Sequence, residues 1–424
     1  MSSEWPIVSI EEIAAKQPSA LATGPFGSSI SAKYFQDEGV PVIRGSNLSA
    51  DIQTKLDDSG LVFVSENKAR EFDRCVVREG DLVFTCWGTI NQVGLIDRDA
   101  TYDRYIISNK QMKLTVDEKL ADPRFIYYVF SGPDKQAEIV DNGIGSSVPG
   151  FNLGQLRKHQ LRLPPLSEQK EIADALDLFS NRITLLRETN ATLEGIAQAL
   201  FKSWFVDFDP VRAKAEGRQP EGMDAATASL FPDSFEESEL GLVPVGWKVL
   251  RVEDLMELAY GKALKATDRV DGPVPVYGSG GITGYHNKSL VDGPSIVVGR
   301  KGTVGSLYWE DRPFFPIDTV FYVRTKKPLT YCYYLLQTLG LEGMNTDGAV
   351  PGLNRGNAYR LRAVVPHEAI LDAFDEVAAK LRCRIFTNAE QAQTLTQLRD
   401  TLLPRLISGQ LRLPEAKALV EEAL

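Results

Sequence analysis

Val148-Pro149-Gly150-Phe151-Asn152-Leu153-Gly154 returns as Val350-Pro351-Gly352-Leu353-Asn354-Arg355-Gly356, an offset of 202 within a chain of 424 residues. The same gap-free offset carries Pro164 onto Pro366, Ile183 onto Ile385, Leu193 onto Leu395 and Leu200 onto Leu402. A solenoid repeat runs roughly 20 to 50 residues, so this is a duplication of a whole domain with its helical appendage. Upstream the correspondence continues if loops of unequal length are allowed. Trp5–Ile13 matches Trp247–Leu255, Val40-Pro41-Val42 matches Val274-Pro275-Val276, Gly88-Thr89 matches Gly302-Thr303, and Tyr127-Tyr128 matches Tyr333-Tyr334. A fixed scaffold with variable loops points to two similar surfaces of different specificity.

Each unit opens with a Trp-led alternating segment. Short β-rich runs follow, broken by Gly, Asn, Asp and Ser: Val40 to Ile43, Leu82 to Phe84 and Gly94 to Ile96 in the first, Ile296 to Val298, Ser306 to Trp309 and Thr319 to Val323 in the second. This is the pattern of mixed α/β domains with exposed loops. After Pro164-Pro165 the period becomes helical, with Ser167 placed as an N-cap and Lys170 where a capping-box Glu would stand. Apolar residues then recur at steps of four and three through Ile172, Leu176, Phe179, Ile183, Leu186, Asn190, Leu193, Ala197, Leu200 and Trp204. The second copy carries Phe374, Ala378, Leu381, Ile385, Asn388, Ala392, Leu395, Arg399, Leu402 and Leu406 at the same positions, although His367-Glu-Ala stands where the first has a Ser-Glu-Gln start and suggests a different beginning.

Each helix could pack on its own domain alone. Geometry favours mutual packing, because about 39 residues at ~1.5 Å each make a rod of ~58 Å, longer than a small domain covers. A pseudo-twofold repeat makes the helices antiparallel, and pairing about position 188 sets Asn190 opposite Asn388, a polar pair that fixes register at a cost in stability. The fold class is therefore α+β: two mixed α/β domains separated by two long antiparallel coiled-coil-like helices. The expected boundaries are a first domain at 1–165, a central helical spacer at 166–206, an acidic connector at 207–246, a second domain at 247–366, a distal helical spacer at 367–413 and a tail at 414–424.

The composition, 43% apolar and 25% charged, is that of a globular chain. No apolar run reaches the roughly 18 residues of a membrane span, and Met1-Ser-Ser-Glu-Trp-Pro lacks a signal-peptide pattern, so the expected location is the cytoplasm. Four scattered cysteines and three histidines argue against a metal site or a disulfide framework. The net charge of −10 disfavours nucleic acid until it is divided by segment. Residues 1–165 hold 18 Lys and Arg against 22 Asp and Glu, 166–240 hold 7 against 15, 241–366 hold 15 against 11, and 367–424 hold 7 against 9. The acid is concentrated in the middle, leaving polyanion binding open to local patches on the domains.

Motifs for catalysis fail one by one. Gly261-Lys262 lacks the rest of a P-loop, and Gly278 to Gly284 lacks the strand-to-helix context of a dinucleotide site, so both are turns. Asp207-Phe-Asp209-Pro210 lacks the second proline and aromatic of a methyltransferase base-holding loop, and no His stands in a nucleophile motif. What remains is polar and aromatic loops at matching places. The candidates in the first domain are Arg44, Ser46, Asn47, Trp87, Asn91, Gln92 and Lys110, with Ser146-Ser147 nearby. In the second they are Tyr277, Ser279, Lys288, Arg300, Lys301, Thr303 and Arg355. Arg, Asn and Gln suit base edges, and Ser, Thr and Lys suit phosphates. Arg300-Lys301 between glycines is the strongest of these. The helix seam adds Ile183, Leu186, Asn190, Leu193, Leu200, Ile385, Asn388, Leu395 and Leu402 as packing or partner positions.

Leu163-Pro-Pro-Leu-Ser-Glu-Gln-Lys-Glu-Ile172 leading into Leu200-Phe-Lys-Ser-Trp-Phe-Val-Asp-Phe208, Leu398-Arg-Asp-Thr-Leu-Leu-Pro-Arg-Leu-Ile-Ser-Gly-Gln410, and the paired Val-Pro-Gly-x-Asn segments resemble the specificity subunits of type I restriction-modification enzymes. Over nearly the whole chain, that resemblance implies two target-recognition domains, each reading half of a bipartite double-stranded DNA site. It implies helices that set the unread spacer and dock two methylation subunits, with restriction subunits joining through the complex. Under it the chain is non-catalytic and binds no cofactor, since S-adenosylmethionine and ATP belong to the partner subunits. A protein-interaction scaffold with two ligand-binding domains is the alternative.

Overall fold

The computed structural model describes residues 5–145, 149–345 and 352–416. Ser146, Ser147, Val148, Val350, Pro351 and most of the expected tail lie outside the described residues. The chain forms two compact units: Met1–Leu186 with Gln391–Leu424, and Arg187–Glu390.

In the first unit a four-stranded antiparallel sheet runs in the order Leu21–Thr23, Gln111–Thr115, Asp81–Thr85, Val93–Leu95. Its central strand Asp81–Thr85 is buried throughout, and successive side chains serve opposite faces, as strand geometry requires. Leu82 and Phe84 join the cluster under the helix Pro123–Ser131, while Val83 joins a second cluster made with Val40, Val42 and Tyr105. That helix starts sharply because Asp122 accepts from the N–H groups of Arg124 and Phe125 and a proline occupies its first turn. A second sheet pairs Val40–Ile43 in parallel with Tyr105–Ile107.

The second unit repeats this plan. Its main sheet runs Met256–Tyr260, Val320–Thr325, Ser295–Gly299, Leu307–Glu310. Ile296 and Val298 face one cluster and Val297 the other, and Val274–Gly278 again makes a parallel pair, here with Phe315–Pro316. The glycine-rich run closes a tight hairpin between Gly278 and Gly281, where φ is +101°. Residues 207–246 form the helices Asp209–Ala215 and Ala225–Leu230 and the hairpin Phe235–Ser238/Gly241–Pro244. Phe208, Val211 and Phe231 sink into one core with Trp247, so the acidic connector is an integral part of this unit.

The two long helices, Leu166–Phe205 and Glu368–Ile407, are 40 residues each. Both ends of the second fall 202 residues after those of the first, so the expected difference in helix start is absent. Ser167 is not the N-cap. It lies in the first turn, where Gln169 N–H donates to the Pro165 carbonyl at 3.0 Å. Ile370 N–H donates to the His367 carbonyl at 3.0 Å, one residue tighter, so a backbone carbonyl opens both helices whatever side chains surround it.

Within the first unit Ile183 and Leu186 pack with Ala392 and Leu395, and Ile172 and Leu176 with Leu402 and Leu406. The helix segments there are antiparallel. Arg399 occupies a seam position at 3% exposure, bound to Asp400 and, at 2.7 Å, to Gln53 Oε1. Within the second unit Phe201 and Phe205 pack against Phe374. Asn388, 1% exposed, donates from Nδ2 to Asn190 Oδ1 at 2.9 Å, and Asn190 Nδ2 donates to the Ile385 carbonyl at 3.0 Å. Asn388 Oδ1 has no partner among the described residues.

Asn388→Leu is expected to lower the stability of the second unit by about 1–3 kcal/mol, because Asn190 loses its donor. Asn190→Leu with Asn388→Leu is expected to recover the loss, since no polar group is then stranded. Denaturant midpoints check this, and a double variant as weak as the single would contradict it. A second expectation concerns His159 beside Phe130 and Phe151. Burial, then Lys135, lower its pKa from 6.5 to about 4 against the opposing pull of Glu138. The unfolded chain therefore takes up a proton that the fold refuses, so stability is lost as pH falls from 6.5 towards 4. Thermal melts of His159→Gln should fall less steeply over that window than those of the parent, and parallel curves would refute the assignment.

Candidate nucleic-acid interface

In both units the loop after the central strand of the main sheet is tied back to the repeated Val-Pro-Gly-x-Asn segment. In the first, Cys86 N–H donates to the Lys110 carbonyl at 2.7 Å, Phe151 N–H to the Cys86 carbonyl at 2.8 Å, and Gly88 N–H to the Pro149 carbonyl at 3.0 Å, while Trp87 bridges Gly150. In the second, Arg300 N–H donates to the Thr319 carbonyl at 2.9 Å and Leu353 N–H to the Arg300 carbonyl at 2.8 Å, while Lys301 bridges Gly352. The loops turn at Gly88 and Gly302 with φ of +88° and +89°, which side chains strain to adopt. Gly150 is required for a different reason, since a Cβ there would stand 2.6 Å from the Trp87 ring. Gly261, at the end of the strand Met256–Tyr260, passes so close to the Ile317 carbonyl that a Cβ would lie 2.1 Å from it.

Beside the first loop lies a cleft of about 520 Å³ lined by Arg44, Gly45, Ser46, Thr85, Trp87, Thr89, Gln92, Ser108, Asn109, Lys110 and Gln111, with Ile30 and Phe35. It brings together five of the seven residues expected in this domain: Arg44, Ser46, Trp87, Gln92 and Lys110. Among the described residues none that lines it is acidic. Trp87 is 51% exposed and offers a ring face, and Arg44 is held by a 2.8 Å bond from Nη2 to the Gly60 carbonyl. Arg44 Nε and Gln111 Nε2 are buried without a partner among the described residues. Burial pushes the Cys86 thiol up to about 12, which keeps it protonated and a poor nucleophile.

Beside the second loop a cleft of about 400 Å³ is lined by Tyr260, Arg300, Lys301, Gly352, Leu353, Asn354, Arg355, Gly356 and Tyr359. Again no lining residue is acidic among the described residues, and three are cationic. Net acidity of the chain is thus compatible with two local positive patches.

Other expected residues serve the fold. Asn47 is 1% exposed, and its amide donates to the carbonyls of Asp57 and Ser59 at 2.9 and 3.2 Å while accepting from Arg44 N–H. Tyr277 is buried and donates its hydroxyl to Glu310 Oε2 at 2.8 Å. Burial and the neighbouring carboxylate both push its pKa up, so it is not an exposed reader. Ser279 pins the second loop, its Oγ accepting from Thr303 N–H at 3.4 Å and its carbonyl from Ser306 Oγ at 2.6 Å. Asn91, Lys288 and Thr303 line neither cleft, although Thr303 is exposed on the tied loop. Tyr260 and Tyr359 escaped sequence reading. The only signal was an aromatic preceding Gly261 at the end of a strand, and exposure of such a residue is set by the fold around it.

Gly150→Ala is expected to push Trp87 off its segment and loosen the loop Cys86–Gln92. Faster amide hydrogen exchange confined to that loop would register the change, and undiminished protection there would show that the tie does not hold it.

The family model described as "Type I restriction modification DNA specificity domain" matches residues 3–195 and 244–356. The specificity subunit of the HindI type I restriction enzyme of Haemophilus influenzae is 25% identical over 408 residues, covering 79% of this chain and 87% of that relative. That of MjaIX from Methanocaldococcus jannaschii is 22% identical over 382 residues, covering 83% and 82%. The fold is similar to the crystal structure of a type I restriction-modification S subunit from M. genitalium, with a TM-score of 0.60 and 17% identity over 95% of this chain and 96% of that one. Both the duplicated domain and most of the first long helix lie inside the matched residues, and the chain belongs to the family of type I restriction modification DNA specificity domains.

Proposed function

We propose that this chain is the DNA sequence-specificity subunit of a type I restriction-modification complex, reading a bipartite duplex site with one half assigned to each domain. The observation that carries the reading is the pair of equivalent loops, tied down by the same repeated segment and opening onto clefts whose residues differ and whose described lining holds no acid. Equal backbones hold the readers in place, and unequal side chains select different bases. In the first domain the readers are Arg44, Ser46, Trp87, Gln92 and Lys110, and in the second Lys301 and Thr303. Family membership supports a non-catalytic role. Methyl transfer and ATP-driven steps then belong to partner subunits in the cytoplasm, two of them methylation subunits docked on the long helices. Those helices, 40 residues each, set the spacer between the half-sites. No helix among the described residues is long and apolar enough to cross a membrane.

Genome-wide methylation mapping of a host carrying the chain with its partner subunits is expected to return two specified half-sites around an unread spacer of constant length. Arg44→Ala should relax one half, and Lys301→Ala the other, each by about 1–3 kcal/mol of discrimination. A continuous motif, or both halves altered by one substitution, would defeat the one-domain, one-half assignment.

A further inference from the structure

The second cleft contains a cation stack with no counterpart among the described residues of the first. The Arg355 guanidinium lies 4.6 Å from the centroid of the Tyr260 ring and 5.6 Å from that of Tyr359. The Arg300 guanidinium lies 5.0 Å from the same Tyr260 centroid and 5.8 Å from that of Phe321. Tyr260 remains 46% exposed, and Tyr359 is fixed by a 2.9 Å hydrogen bond that its hydroxyl accepts from Leu258 N–H. Arg300 spends one nitrogen on the Asp318 carbonyl at 2.9 Å. The Arg355 guanidinium makes no hydrogen bond or ion pair among the described residues.

We propose that Arg355 and Arg300 form a seat for a DNA backbone phosphate beside the half-site read by the second domain. This rests on the DNA-reading function proposed above and adds a division of labour within one cleft. Two cations over a single ring make this part of the cleft a site of positive potential, and no carboxylate stands among its described lining residues. Stacking fixes each guanidinium plane and leaves its N–H edge for charge-assisted bonds to phosphate oxygens. Arg300 shares the Tyr260 ring with Arg355, and arginine serves phosphate oxygens as well as base edges. Base reading in this domain then passes to Lys301 and Thr303 on the adjacent loop. The repeat sharpens the point, because the position of Arg355 is held by Leu153 in the first domain and that of Arg300 by Cys86. The seat is built on one side only.

The test uses the complete complex of this chain with its modification subunits. The probes are a short duplex bearing the mapped site and a scrambled duplex, each titrated over a series of salt concentrations. Arg355→Ala is expected to weaken both duplexes by the same factor and to reduce the slope of log affinity against log salt by about 0.9, with the methylated sequence unchanged. Arg355→Lys, which keeps the charge, should restore the slope and so separates charge from any damage to the fold. An unchanged slope in Arg355→Ala, or an altered base preference at one half-site, overturns the phosphate seat while leaving bipartite reading intact. A parent complex that binds both duplexes equally overturns the proposed function itself.

Discussion

The tie between each loop and its returning glycine segment is the constraint from which the rest follows. A polar loop left to itself samples many conformations, and ordering its backbone costs about 1–2 kcal/mol per residue. Here that cost is met within the fold before any ligand arrives. Trp87 lies against Gly150 and Lys301 bridges Gly352. The repeated Val-Pro-Gly-x-Asn motif is thus a structural clamp. Its glycine is demanded in the first unit by the approach of an indole ring. Its asparagine caps the following short helix, with Asn152 accepting from Gln155 N–H and Asn354 from Asn357 N–H. Because the tie runs mainly through backbone hydrogen bonds, most side chains on the clamped loop are free to vary.

The helices impose the other constraint. Their gap-free correspondence has a physical basis in the seam, where moving one helix by a single position would rotate every apolar contact out of register. Apolar contacts at Ile183, Leu186, Ala392 and Leu395 tolerate sliding better than a paired amide does. The Asn190 and Asn388 bonds make a shifted register leave buried polar groups unpaired. Arg399 works the same way in the first unit, since its partner Gln53 also donates to the Ser180 carbonyl and Thr184 Oγ1 on the opposite helix. Polar seam positions therefore weaken the packing and specify it at the same time.

Much of this was legible in the sequence. The duplication, both long helices, the central strands and the facing asparagines follow from periodicity and offset, properties that local residue order carries. The interface was legible only in part. Arg44, Ser46, Trp87, Gln92 and Lys110 do share a cleft, as do Arg300, Lys301 and Arg355. Tyr277 and Asn47 have the composition of readers yet are consumed by the fold, because their partners Glu310 and Asp57 lie 33 and 10 residues further along the chain. Arg300 and Lys301 stand first among the candidates for their glycine neighbours, which describe the backbone and say nothing of the ring on which the Arg300 side chain rests. The Ser167 cap failed because the Pro165 carbonyl already supplies the acceptor that opens the helix.

Two tied loops with different side chains imply that each domain carries its own specificity and nothing of its neighbour's. The most direct test replaces residues 247–366 by the matching domain of a relative of known half-site and maps methylation in a host that supplies the partner subunits. One half-site should become that of the donor, while the other half and the spacer length stay as they were. If both halves changed, or if the spacer changed with the domain, the two surfaces would not be independent readers held by a common clamp.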